Sequence, residues 1–149
     1  NTARLYHETS NWILLIVYRG LHCPICKDYA TRFEHNLSKL QDMNTQLFFI
    51  SADPLEKAKI FAEELNLKSK IGYGLGIEEM RKLGLYVSEP RPNEVDYIFP
   101  EPALFLINPK GRLHIIEISN APFIRPDINL ILRGINHIQE NNYPIRGTH

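Results

Sequence analysis

The sequence predicts an α/β fold, a mixed central β-sheet with helices on both faces. Two buried-strand runs alternate with amphipathic helical stretches in the first half, and a strand pair with a strong turn signal follows a long irregular connection. A last amphipathic stretch closes the chain. Its 149 residues fit one domain, 1–149, since domains cluster near ~100 to 150 residues. With 44% hydrophobic residues the chain can build a core without disulfide or metal staples.

Trp12-Ile13-Leu14-Leu15-Ile16-Val17-Tyr18 is a continuous β-branched and aromatic run ended by Gly20, the pattern of a strand buried on both faces at a sheet centre. After it, Cys26, Ala30, Phe33, Leu37 and Leu40 fall on one helical stripe, with Pro24 suited to the first turn. Gln46 to Ile50 reads as a second buried strand. Asp53-Pro54-Leu55-Glu56 then resembles a capping-box start, with Ala58, Phe61, Ala62 and Leu65 as the apolar face. This β-α-β-α order implies parallel strands.

The middle is less regular. Ile71 to Gly76 reads as a short strand or loop, and Ile77 to Leu83 as a short helix ended by Gly84 in a left-handed cap. Tyr86 to Glu101 carries Pro90, Pro92 and Pro100 between acidic and aromatic residues, a long connection of the functional or mobile kind and the candidate lid. Ala103 to Ile107 and Arg112 to Ile118 flank Asn108-Pro109-Lys110-Gly111 and predict a β-hairpin. A last helix is expected from near Pro126, with Ile128, Ile131, Leu132, Ile135 and Ile138 on one side. The whole order is that of the thioredoxin fold.

Composition removes several function classes. Lys+Arg 17 against Asp+Glu 17 gives a formal net charge of zero, so there is no basic field to hold a nucleic-acid backbone. The apolar run Trp12 to Tyr18 is far short of the ~20 residues of a membrane-spanning helix, and no basic-then-apolar leader precedes it. A soluble protein with neither a nucleic-acid nor a membrane partner is expected. The chain begins with Asn1 rather than Met, which reads as loss of an N-terminal segment by processing or truncation. A cytoplasmic location suits a dithiol pair, although oxidising compartments also host such pairs.

Both cysteines lie in Cys23-Pro24-Ile25-Cys26, where the first strand passes through Gly20 into a helix. A thiol at a helix N-terminus faces unpaired N–H groups and the positive end of the macrodipole, both of which favour thiolate. Cys23 is therefore the candidate nucleophile. Cys26, one turn on and on the apolar stripe, is the candidate resolving thiol that attacks a disulfide formed on Cys23. The spacing alone is a weak signal; its place at a strand–helix junction strengthens it. The other reading of two buried cysteines, plain core packing, leaves Pro24 and the junction unexplained. A tetrahedral zinc site would need four ligands, and the chain holds no second C-x-x-C or H-x-x-x-H. No metal or organic cofactor is expected. Gly72-x-Gly74-x-Gly76 lacks the spacing and the lysine of a phosphate loop and reads as a turn.

Tyr18-Arg19-Gly20-Leu21-His22-Cys23-Pro24-Ile25-Cys26 resembles the Tyr-Arg-Gly-x-x-Cys-Pro-x-Cys signature of peroxiredoxin-like proteins. These belong to the alkyl hydroperoxide reductase and thiol-specific antioxidant superfamily, built on the thioredoxin fold. The likeness continues through Ser51-Ala52-Asp53-Pro54, through Pro102 to Ile107 with Lys110-Gly111-Arg112, and through Ser119 to Phe123 with Arg125-Pro126-Asp127. It implies that Cys23 is the peroxide-reactive or disulfide-attacking cysteine and Cys26 the resolving one. The departures are specific. Gly20 and Ile16 stand where typical peroxiredoxins place the peroxide-orienting threonine and the proline before it, and Glu101-Pro102 stands where they carry an arginine. Glu101-Pro102 instead resembles the cis-proline of thioredoxins. A cis bond there is expected to expose backbone groups for an extended substrate; a trans proline at a strand's start is the alternative.

Arg125 is the first candidate for a cation beside the thiolate and Arg19 the second. Ordinary roles are a carboxylate pair, such as Arg125 with Asp127, or a solvated surface. His22 reads as an exposed loop residue or a modulator of Cys23. Tyr97 and Phe99 read as groove lining or lid packing. The function expected is therefore a thiol-dependent oxidoreductase reducing peroxides or protein disulfides through a Cys23–Cys26 couple. An external thiol reductant, a thioredoxin-like protein or glutathione, would regenerate it. The alternative is a binding module of the same fold whose cysteine pair is a redox switch or a relic. The sequence leaves the oligomeric state open, a homodimer among the candidates.

Overall fold

The structure, a computed structural model, describes residues 11–149. Strand β1 (Trp12–Val17) is followed by α1 (Pro24–Glu34), α2 (Leu37–Asp42), β2 (Thr45–Ile50), α3 (Leu55–Glu64), β3 (Lys70–Ile71) and α4 (Ile77–Lys82). Then come β4 (Val87–Ser88), β5 (Phe99–Pro100), β6 (Ala103–Ile107), β7 (Leu113–Ile118) and α5 (Ile128–Glu140). The main sheet runs β3-β2-β1-β6-β7, with β1–β2 and β2–β3 parallel and β1–β6 and β6–β7 antiparallel. The continuous apolar run thus becomes the central strand, buried from Ile13 to Val17 because both faces of the sheet are covered.

Alternation along β1 sorts its side chains between two cores. Leu14 and Ile16 join Phe33 of α1, Leu40 of α2, Phe61 of α3 and Ile131 and Ile135 of α5 on one face. Ile13, Leu15 and Val17 join Met80 of α4 with Leu75, Leu85 and Phe105 on the other. Helices therefore cover both faces of a mixed sheet, as expected. Among the described residues no helix is long and apolar enough to cross a membrane.

Local signals explain most boundaries. Asn108 Oδ1 accepts from the N–H groups of Lys110 and Arg112 at 2.9 and 3.0 Å, and Gly111 takes φ 77°, which closes the predicted hairpin. Gly84 ends α4 at φ 74°. Asp127 caps α5 by accepting from Leu130 N–H at 2.9 Å, so this carboxylate serves the helix and α5 starts just beyond Pro126.

Two expectations need correction. The stripe from Cys26 to Leu40 is one apolar face but two helices. Asn36 donates its side-chain amide to Arg32 O at 2.8 Å and its backbone N–H to Phe33 O, a tight terminal turn that ends α1 and restarts the chain as α2. Asp53 does not cap α3 either. Pro54 occupies the cap position with no side-chain bond, and the Asp53 carboxylate turns inward instead.

The topology gathers the chemistry at one end of the sheet. Val17 pairs with Ile50 in the parallel β1–β2 ladder, so the segments leaving β1 and β2 emerge side by side. Val17 also faces Ala103, the first residue of antiparallel β6, and Ala103 faces Ile118, the last of β7. Residues 18–23, 51–54, 100–102 and 119–127 therefore converge there, where open α/β sheets place their sites. The β4–β5 pair, with Val87 against Pro100 and Ser88 against Phe99, closes residues 89–98 into a loop over the same end.

Candidate active site

Gly20 makes the turn from strand to helix. Its φ is 149°, and a Cβ there would lie 2.9 Å from both Asp53 Oδ1 and His22 Nδ1, so only glycine fits. Cys23 N–H donates to Gly20 O at 3.2 Å and completes the turn. Cys23 is then the N-cap of α1, its sulfur accepting from Cys26 N–H at 3.3 Å, with Pro24 in the first turn. Cys23 is 2% exposed and Cys26 1%, and both are free thiols.

The surroundings push the two thiols in opposite directions. Cys23 is pulled down to about 5, chiefly by the Cys26 thiol that hydrogen-bonds to it. Burial opposes this, and the Cys26 N–H and the Arg19 guanidinium add to it. Cys26 is pushed well above the ordinary thiol range by burial and by its neighbour Cys23, with Arg125 opposing. The opposite shifts make Cys23 the more readily ionised sulfur of the pair, an arrangement suited to nucleophilic attack by Cys23.

The guanidinium groups divide between the sulfurs, while the Arg19 backbone N–H donates to Cys26 Sγ at 3.5 Å. The Arg19 guanidinium faces Cys23, whereas Arg125 Nη2 donates to Cys26 Sγ at 3.1 Å, so the Arg125 cation lies at Cys26 and not at the candidate nucleophile. Arg125 is held by its Nε bond to Pro122 O at 2.6 Å and lies over Tyr29, 5.1 Å from the ring centre. Arg19 is held by carboxylates: Nε lies 3.0 Å from Glu101 Oε1 and Nη2 3.5 Å from Glu94 Oε2, with the guanidinium 4.9 Å above the Phe99 ring. His22 is mostly buried rather than exposed, edge-on to Phe99 with ring centres 4.8 Å apart. Burial and then Arg19 push its pKa down, which favours the neutral ring.

The expected cis bond at Glu101-Pro102 is absent; the described residues contain no cis peptide. Pro102 is a trans residue at the start of β6, where no ladder N–H is needed. The Glu101 N–H already donates to Tyr86 O, and the Pro102 carbonyl accepts from Ser119 N–H, both at 2.9 Å. These two groups are not free to pair with an extended substrate. The Glu101 side chain has become an internal anion, accepting from Ser88 Oγ at 2.6 Å and pairing with Arg19.

Two site residues were not singled out as such by the sequence: Glu94 carries no local signal, and the signal at Asp53 points to a helix cap. Asp53 Oδ2 accepts from Leu21 N–H at 2.7 Å and Oδ1 from Tyr97 OH at 2.6 Å. The one available hint was position, since an acid just past a buried parallel strand lies at the ligand end of the sheet. Tyr97 thus does more than line a groove, and Phe99 is a fully buried platform between Arg19 and His22. Among the described residues no three His, Cys, Asp or Glu side chains converge as a metal would require.

Comparison with known proteins places the chain. No curated protein matches it. Among solved structures it is similar to a cysteine-to-serine mutant of peroxiredoxin 6 of Arenicola marina, with TM-score 0.74 and 18% identity over 89% of this chain. The chain spans only 63% of that protein's length. It is similar to reduced 2-Cys peroxiredoxin of Plasmodium vivax, with TM-score 0.70 and 18% identity over 89% of this chain and 79% of the other. A third likeness is to Mycobacterium tuberculosis AhpC, with TM-score 0.72 and 11% identity over 92% of this chain and 74% of the other. At such identities these likenesses speak for the fold. The family model described as AhpC/TSA matches residues 1–116, most of the sequence, and the chain belongs to the AhpC/TSA family.

Proposed function

We propose that this protein is a two-cysteine peroxidase in which Cys23 is the peroxide-attacking thiolate and Cys26 the resolving thiol. The observation that carries the reading is the pairing of a depressed Cys23, capping α1 beside Arg19, with a protonated Cys26 one turn away. The Cys23 thiolate attacks one peroxide oxygen, the O–O bond breaks, and the leaving alkoxide or hydroxide takes up a proton. Cys23 is then a sulfenic acid. With the neighbouring negative charge gone, a cause of the raised Cys26 pKa disappears while Arg125 still favours the thiolate. Cys26 then attacks the Cys23 sulfur, hydroxide leaves and is protonated to water, and a Cys23–Cys26 disulfide remains. An external dithiol or two thiols, supplied by a thioredoxin-like protein or glutathione, reduce it by exchange.

The near-complete burial of Cys23 and the trans Glu101-Pro102 bond favour a small peroxide over a protein disulfide as oxidant. A second reading, disulfide exchange with a partner protein, has one observation in its favour. Phe123 and Ile124, beside Arg125, are 78% and 59% exposed, an apolar rim near the dithiol. Substitution separates the roles. Cys23→Ser is expected to abolish peroxide consumption, and Cys26→Ser to accumulate a sulfenic acid on Cys23 that a dimedone-type probe traps. Absence of that adduct, with peroxide still consumed, would refute the assignment.

A further inference from the structure

Asp53 is fully buried, and its carboxylate makes no ion pair among the described residues. Burying such a charge is costly unless strong donors hold it. Its two donors come from different segments. Leu21 N–H belongs to the turn carrying Arg19 and Cys23, and Tyr97 OH to the segment running from Glu94 through Phe99 to Glu101, the residues around Arg19. The far ends are fixed as well. The Asp53 N–H donates to Ser51 Oγ at 3.1 Å and its carbonyl accepts from Gly74 N–H at 2.8 Å. Lys57 Nζ donates to Tyr97 OH at 3.1 Å. Gly20, with no Cβ, lets the turn sit against Asp53 Oδ1.

We infer that Asp53 is a positioning residue for Cys23: by clamping Leu21 and Tyr97 together it sets the turn in which Cys23 caps α1 and Arg19 faces its sulfur. Asp53 touches neither sulfur and acts through the turn. The inference rests on Cys23 being the thiolate nucleophile, as proposed above.

Charge and position predict opposite signs, which makes the role testable. The groups facing Cys23 are Cys26, Arg19 and His22, the last held toward its neutral form; those facing Asp53 are Tyr97, Tyr18 and the same His22. Removing a negative charge from the neighbourhood can only ease ionisation of Cys23 and lower its midpoint. Loss of positioning raises it, because the cap and the Arg19 contact loosen. The measurement is the pH dependence of Cys23 alkylation by iodoacetamide, read by peptide mass in otherwise wild-type protein.

Asp53→Asn is expected to move the midpoint up by about one pH unit, which at pH 5 slows alkylation about fivefold. Tyr97→Phe, which removes one donor and leaves the Leu21 bond, is expected to move it the same way by less. An unchanged or lowered midpoint in Asp53→Asn overturns the inference. If that variant has no cooperative melt, Tyr97→Phe decides alone: a raised midpoint supports the clamp and an unchanged one overturns it. The wild-type profile tests the parent reading separately. A wild-type midpoint in the ordinary thiol range defeats both, whereas a depressed wild-type midpoint with unshifted variants defeats only the role of Asp53.

Discussion

Cys23 and Cys26 are the same residue three positions apart, and their surroundings make them opposites. Cys23 stands at the N-terminal end of α1, where a backbone N–H, a thiol and Arg19 all stabilise negative charge. Cys26 lies inside the apolar stripe with Tyr29, Ala30 and Phe33, where burial resists ionisation although Arg125 donates to its sulfur. The arginines differ in the same way. Arg19 is shared with Glu94 and Glu101, so its charge is partly spent on carboxylates, whereas Arg125 is braced by a carbonyl and an aromatic face. The contrast teaches that helix position, burial and the contacts of each sulfur push two identical thiols in opposite directions.

The contrast can be broken most severely at Arg19. Arg19→Met removes a contributor to Cys23 ionisation and leaves Glu101 buried without its cation. We expect the Cys23 midpoint to rise by about one pH unit and stability to fall by about 3 kcal/mol, in the range for breaking a buried pair. Urea unfolding checks the second number. Adding Glu101→Gln should restore most of the stability but not the midpoint, because only the first loss comes from an orphaned charge.

The next effect is of pH itself. Protonation removes the thiolate, so with a midpoint near 5 the wild-type alkylation rate of Cys23 should be flat from pH 8 to about 6 and fall as the pH drops through about 5. A free thiol instead loses reactivity from pH 8 downward. Stopped alkylation with peptide mass readout distinguishes the two curves.

The smallest effect is expected at Arg125. Arg125→Gln leaves Cys23 with its cap and Arg19, so the first oxidation should proceed unchanged. Closure of the disulfide should slow about threefold to tenfold, because Cys26 loses the cation that eases its ionisation. The check is the interval between loss of alkylatable Cys23 and loss of alkylatable Cys26. A slowed first step with normal closure would show the two arginines to be assigned the wrong way round.

What was legible in the sequence was local. The apolar run Trp12 to Tyr18, the stripe after it and the Asn108–Gly111 turn each carry their signal within a few residues, and so does a cysteine pair spaced to put one sulfur at a helix start and the other on its buried face. What was not legible depends on distant contacts. Asp53 meets Leu21 across 32 positions and Tyr97 across 44, and Arg19 meets Glu94 across 75. An acid beside a proline at a predicted helix start reads as a cap until the fold shows which way it turns. The allocation of Arg125 rests on a contact with Cys26 across 99 positions, and Pro102 fits a cis or a trans bond by sequence alone.

The central claim, a peroxide-reactive Cys23 resolved by Cys26, is tested most directly by intact mass after mixing reduced protein with stoichiometric hydrogen peroxide and quenching at short times with an alkylating agent. The account predicts that both cysteines escape alkylation together as a disulfide, two hydrogens lighter, far faster than a free thiol is oxidised. Oxidation no faster than that of a free thiol would contradict it and move disulfide exchange at the same pair to first place.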